Sequence, residues 1–264
     1  MHSVKWRDRS ALTAFASTTV VFVALGILVV RSPGWHSVRR AFFQLKHARA
    51  SLPDIAHGFL LNVRLFLVAE VCVLAIGLTV AIVRNIPGPT MLPFRILATA
   101  YTDVFRGVPT ILLIYLFGFG VPALGIDRPW NSPLLWGSVA LIANYGAYDA
   151  EVFRSGIRSV HPSQLAAARS LGLSQWKAFR FVVVPQAIRR VIPPLLNDFI
   201  SLQKDTALVS MLGPLEALRN ADIYAKSKFN YTPYVVASCM FLLLTIPMSR
   251  FVDWLILRQE RARR

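Results

Sequence analysis

Twenty consecutive residues, Ala11 to Val30, carry no charge. As a helix rising 1.5 Å per residue they reach about 30 Å, the thickness of a bilayer's hydrocarbon core. The run is too long for the apolar part of a signal peptide, and no small-x-small cleavage site precedes Arg31-Ser32-Pro33, so a retained span is expected. Five more apolar runs follow: Gly58 to Val83, broken by Asn62, Arg64 and Glu70; Pro93 to Phe119; Leu134 to Ala150, short and carrying Asn144 and Asp149; Ile188 to Leu208, the most polar; and Tyr234 to Leu257. The expected fold class is therefore all-α: a polytopic membrane bundle of six transmembrane helices, a five-helix core plus one N-terminal helix.

Composition agrees. The chain of 264 residues is 55% hydrophobic and only 16% charged, against about 25% charged in an ordinary soluble domain; its mean hydropathy is +0.51. The net charge of +16 taken alone would suit nucleic-acid binding. The charges lie between apolar runs, however, so a membrane explains them and no nucleic-acid partner is expected. Six spans put both termini on one side. With the termini inside, the inner segments hold sixteen Lys and Arg, and the outer ones nine: Arg31, Arg39, Arg40, Lys46, Arg49, Arg128, Arg219, Lys226 and Lys228. The bias places both termini in the cytoplasm of a multi-pass cell-membrane protein. The basic outer stretch 31–57 runs against it. Val38, Phe42 and Leu45 among its cations suit an amphipathic segment on the membrane surface, with a solvated loop as the level alternative. Cys72 and Cys239 fall in apolar runs and read as small hydrophobes.

Catalytic signatures are absent from the sequence. It contains no G-x-x-x-x-G-K-[ST] phosphate loop, no H-E-x-x-H, no C-x-x-C and no G-x-S-x-G. The five histidines are scattered. Neither a catalytic residue, a metal site nor a cofactor is expected in this chain.

The inner stretch 151–186 is the most informative. Pro162 and Ser163 open an alanine-rich helical run, Gln164 to Leu171. Gly172 stands where a left-handed C-terminal residue belongs. Ser174 can cap a second short helix from Gln175, and Pro185 is expected to end it. The product is a cytoplasmic helix-turn-helix elbow showing Ala167 and Ala168, with Leu171, Leu173, Trp176 and Phe179 nearby. Such a face can seat in a groove on another protein or merely cover the bundle's inner end.

The segments Glu151-Val-Phe-Arg-Ser-Gly156, Gln164-Leu-Ala-Ala-Ala-Arg-Ser-Leu-Gly172 and Val184-Pro-Gln-Ala187 resemble the EAA loop of ABC importer permeases. Phe105-Arg-Gly-Val-Pro109 and Asn197 through Lys204-Asp205-Thr206-Ala-Leu208 resemble segments of the polar amino acid (histidine, glutamine and glutamate type) branch. The resemblance covers roughly residues 55–257. It implies a transmembrane permease subunit that works by alternating access. The elbow would be a coupling helix, contacting a dimer of separate ATP-binding subunits through Gln164, Ala166, Ala167, Ala168, Leu171, Gly172 and Leu173. ATP-Mg would reside on those partners. A second permease subunit, identical or not, and an extracytoplasmic amino-acid-binding protein would complete the assembly. Ala166 replaces the glutamate of the Glu-Ala-Ala signature, Val108 a threonine and Ala207 a serine. An ion-gradient-driven carrier and a non-transporting scaffold are the alternatives.

Polar groups at membrane depth are costly and by default point to function. Glu70, Asn144, Asn197, Gln203, Lys204 and Asp205 are accordingly the candidates for the substrate pathway. Their structural alternative is ion pairing, such as Arg64 with Glu70. Pro193-Pro194 is expected to mark a kink or unwound turn. The chain divides into 1–57, an N-terminal helix and basic loop; 58–257, the permease core with coupling loop 151–186; and a basic tail, 258–264.

Overall fold

The computed structural model describes the backbone over residues 3–127 and 129–261. Arg128 and the tail residues Arg263 and Arg264, counted in the charge bias, lie outside the described residues, as do the side chains of Lys5, Arg7, Arg9 and Arg261. The described residues form helices and no strands: α1 (Ser3–Arg31), α2 (Trp35–Phe42), α3 (Leu45–Asn85), α4 (Leu92–Gly107), α5 (Thr110–Gly120), α6 (Pro133–Arg158), α7 (Pro162–Ser170), α8 (Gln175–Ala178), α9 (Val184–Asp205), α10 (Ala217–Lys228) and α11 (Thr232–Arg261). Tight 3-10 turns cover Pro122–Leu124 and Thr206–Leu212, and a wide π turn covers Phe179–Val183.

Apolar periodicity located these helices but not all their breaks. The third expected span is two helices, α4 and α5, bent by 106°. Pro109 has no amide to donate, and its ring pushes the preceding residue out of the helical region; Val108 is extended, at φ −99 and ψ 132. Conversely, Pro193 and Pro194 sit inside α9, which stays helical throughout, so the expected unwound turn does not form there. The stretch 31–57 is helical apart from two short connectors, and the division at 57/58 falls inside the continuous α3. On length and apolarity three segments could cross a membrane, Thr13–Arg31, Trp35–Asn85 and Thr232–Arg258, with a fourth if α4 and α5 form one broken span. The expected six are not reached this way, because α6 and α9, at 26 and 22 residues, are long enough but polar.

Lipid tails are as apolar as leucine, so helices in a bilayer associate through close packing and polar contacts rather than water exclusion. Small residues permit it here. A Cβ at Gly58 of α3 would lie 2.5 Å from the Glu216 carbonyl carbon and 2.8 Å from the Ala217 amide nitrogen, so α3 and α10 meet backbone to backbone. The Leu212 side chain fills the space left by two glycines, Gly118 of α5 and Gly137 of α6. Around it Ile114, Leu141, Val73, Leu202 and Val209 form the main core. A second cluster, Ile55, Ala217, Ala221 and Ala237, joins α3, α10 and α11. By contrast, no residue of α1 from Thr13 to Arg31 is buried; Phe15 and Phe22 are 75% and 70% exposed.

Candidate functional site

The elbow is built largely as its sequence implies. His161 caps α7, its Nδ1 accepting from the Ser163 amide at 3.2 Å. Gly172 adopts φ +86, which lets the Gly172 and Leu173 amides reach the Arg169 and Ala168 carbonyls at 2.9 and 3.3 Å. Ser174 Oγ then accepts from the Lys177 amide and caps α8. Pro185 does not end that helix. The chain runs through the π turn directly into α9, and Pro185 occupies α9's first turn, where a missing amide costs little. Val160, Val183 and Ala187, with Leu165 and Phe179 against them, fix the elbow to the bundle. Arg190 of α9 also donates to the Ser159 carbonyl at the end of α6.

Of the seven residues assigned to the coupling face, Gln164, Ala166, Ala167, Leu171 and Gly172 are exposed, and Leu173 is half-buried. Ala168 is buried. It faces inward and packs the elbow rather than a partner. Leu171 is 85% and Trp176 70% exposed. A hollow of about 400 Å³ opens beside Trp176, which lines it with Leu165, Gln175 and Phe179.

Above the elbow, Glu151 ties three helix ends together. Its carboxylate accepts from Arg84 of α3 at 2.8 Å and from Arg154 at 2.6 Å, with Arg106 of α4 at 3.9 Å. Arg106 also lies 5.4 Å over the Tyr148 ring. Nothing in the sequence singled out this node, since its members lie on three separate runs.

The intramembrane candidates separate into three places. Asn144 is buried and braces the break between α4 and α5: its Nδ2 donates to the Phe105 carbonyl at 2.5 Å, and its Oδ1 accepts from Thr110 at 3.0 Å. That is a structural task, and both ends of its amide are occupied. Glu70 does not pair with Arg64 among the described residues. It neighbours Asp198 of α9, whose carboxyl meets that of Asp149 on α6. Asp149 is buried, and its Oδ1 makes no hydrogen bond among the described residues. Asp149 and Asp198 are absent from the sequence-derived set, although both are ionisable residues within expected spans, the same signal that picked out Glu70. The third place is the end of α9. Gln203 is buried, its Oε1 accepting from Thr245 at 2.9 Å while its Nε2 finds no partner among the described residues. Asp205 accepts from the Tyr145 hydroxyl at 2.8 Å. Lys204 points elsewhere, as successive helix positions must. It lines a cavity of about 430 Å³ with Leu218, Tyr234, Ser238, Phe241 and Thr245. Asn197 is exposed.

Three likenesses accompany this geometry. Over 201 residues the chain is 34% identical to the probable glutamine ABC transporter permease protein GlnM of Bacillus subtilis (strain 168), covering 74% of this chain and 90% of that one. Over 197 residues it is 31% identical to the putative glutamine transport system permease protein GlnP of Rickettsia conorii (strain ATCC VR-613 / Malish 7), covering 74% and 88%. The crystal structure of an amino acid ABC transporter with histidines superposes with a TM-score of 0.70 at 31% identity, covering 78% of this chain and 94% of that one. A family model, the binding-protein-dependent transport system inner membrane component, matches residues 74–261, so the chain is a membrane permease subunit belonging to that family.

Proposed function

We propose that this permease subunit carries polar amino acids through the membrane and is driven by separate ATP-binding subunits that grip its elbow. The observation that carries the reading is the elbow itself. Its Leu171 and Trp176 are exposed, Trp176 beside a hollow, while its inner side is packed against α6 and α9. A push on this face moves two core helices together, the input that rigid-body rocking between inward and outward states requires. Gln164, Ala166, Ala167, Leu171, Gly172 and Leu173 make the contact, and Ala166 offers no carboxylate to it. ATP-Mg binds and is hydrolysed on the partners, and this chain does no covalent chemistry. A second permease subunit completes the pathway, and an extracytoplasmic binding protein delivers the substrate. The termini and elbow face the cytoplasm, as the charge bias requires. Residues 58–257 form the working core, preceded by 1–57 and followed by the tail 258–264.

An amino acid zwitterion needs one partner of each sign. Lys204 supplies a cation in its cavity; Glu70, Asn197, Gln203 and Asp205, joined by Asp149 and Asp198, supply acids and amides along α3, α6 and α9. The glutamine names of the relatives support a polar side chain on the cargo.

The test is co-purification and uptake in reconstituted vesicles. Leu171→Asp with Trp176→Asp should reduce capture of the ATP-binding subunit at least tenfold and abolish ATP-driven uptake. Lys204→Ala should alter uptake with capture intact. Uptake driven by an ion gradient without ATP or partner would replace this reading with that of a secondary carrier.

A further inference from the structure

Between Arg31 and Arg49 the chain carries five cations, Arg31, Arg39, Arg40, Lys46 and Arg49, and no acidic residue. Helix α2 lies in the middle of this stretch. It is joined to the end of α1 by Ser32–Gly34 and to the start of α3 by Phe43 and Gln44. Thr13–Arg31 before it and the segment Trp35–Asn85 that it opens are each long and apolar enough to cross a membrane. A three-residue connector ties α2 to the end of α1, and contacts with Asn230, Tyr231 and Thr232 tie it to the start of α11, so it lies level with the ends of two apolar spans.

Its side chains suit that place. At 100° per residue, Trp35, Val38 and Phe42 share one arc, Arg39 borders it, and His36 and Arg40 lie on the far face. No residue of α2 is buried, and Val38, Phe43 and Leu45 are 42%, 56% and 64% exposed. The arc is thus covered by protein only in part, at Trp35 and Phe42, and the arginine stems are long enough to hold their guanidinium groups at headgroup height. The helix is held in place by backbone. Asn230 Nδ2 donates to the Arg40 carbonyl at 3.0 Å, the Tyr231 amide to the Ala41 carbonyl at 2.7 Å, and the Gln44 amide to Thr232 Oγ1 at 3.1 Å. The Phe42 and Tyr231 rings meet at 5.1 Å. These contacts fix α2 to the turn between α10 and α11 and leave the Arg39 side chain in no ion pair among the described residues; Arg40 touches only His36, at 2.8 Å.

We infer that α2 is an interfacial helix that holds anionic phospholipid headgroups through Arg39 and Arg40, each on its own side of the helix, with its apolar arc in the acyl region. A guanidinium is the side chain best matched to a phosphate, which it can hold through two parallel hydrogen bonds. The excess of Lys and Arg that runs against the charge bias of the outer segments then has an occupant.

The test is native mass spectrometry of the purified full chain from micelles holding equal phosphatidylglycerol and phosphatidylcholine. The wild type should retain phosphatidylglycerol preferentially, and salt at 0.5 M should erase that preference. Arg39→Gln with Arg40→Gln should weaken it about 30-fold, on the usual contribution of one basic residue near an anionic surface. Both side chains are exposed and the clamp uses backbone atoms, so this variant should elute as the wild type does. Lys226→Gln removes one charge from α10 and should leave the preference intact. Equal retention of the two lipids by the wild type, an undiminished preference in the double variant or under salt, or an equal fall in Lys226→Gln would overturn the inference.

Discussion

Asn144 shows how much one polar residue can hold in a bilayer. Its amide bridges the carbonyl of Phe105 and the hydroxyl of Thr110, on either side of the 106° bend. Asn144→Leu keeps the volume but leaves a carbonyl and a hydroxyl unpaired in the core. It should destabilise the fold by about 1–3 kcal/mol, read as a lower melting temperature in detergent; an unchanged melting curve would show that the bend stands without its brace. Gly58→Ala probes the opposite kind of contact. The atoms it would strike, at 2.5 and 2.8 Å, belong to the backbone of Glu216 and Ala217, which cannot swing aside. Separation of α3 from α10 at a cost of about 1–3 kcal/mol is expected, visible as faster hydrogen exchange across α10.

At the scale of elements, the legible parts were those whose physics is local. The elbow's opening at Pro162, its left-handed Gly172 and its cap at Ser174 each depend on residues within four positions, and all three form. Proline was misread in both directions because its effect depends on context: Pro109 breaks a helix, while Pro185, Pro193 and Pro194 are accommodated within one. The burial of Ala168 beside an exposed Ala167 reflects which side of α7 meets the bundle, which no local pattern encodes. The carboxyls of Glu70, Asp149 and Asp198 come from three helices, and only the packing of α3, α6 and α9 brings them together. Helix α10, outside the apolar spans, permits a pH prediction. Lys226 above all, with Tyr234 and Arg219 adding and partial burial opposing, holds the Asp222 carboxyl below its ordinary value. A depressed carboxylate stabilises the fold above its unfolded value, about pH 3.9, and the contribution is lost as pH falls through the folded one. Amide protection in α10 should therefore be level above about pH 4 and decline on further acidification, and Asp222→Asn should flatten the profile.

For the molecule as a whole, the distribution of burial separates a packed machine from an appended helix. The apolar stretch of α1 buries none of its residues. Replacing residues 13–30 with polyleucine should leave the melting temperature unchanged; a drop would mean that α1 packs on the bundle in the membrane. The core tolerates far less. One leucine, Leu212, occupies the room vacated by glycines on two different helices, so the three positions are heritable only as a set. A methyl group gained at 118 or 137 is tolerable in a lineage that has already shortened residue 212, and Gly118→Ala should be rescued by Leu212→Ala. Descendants of this sequence would thus carry a record of the order in which those changes arose.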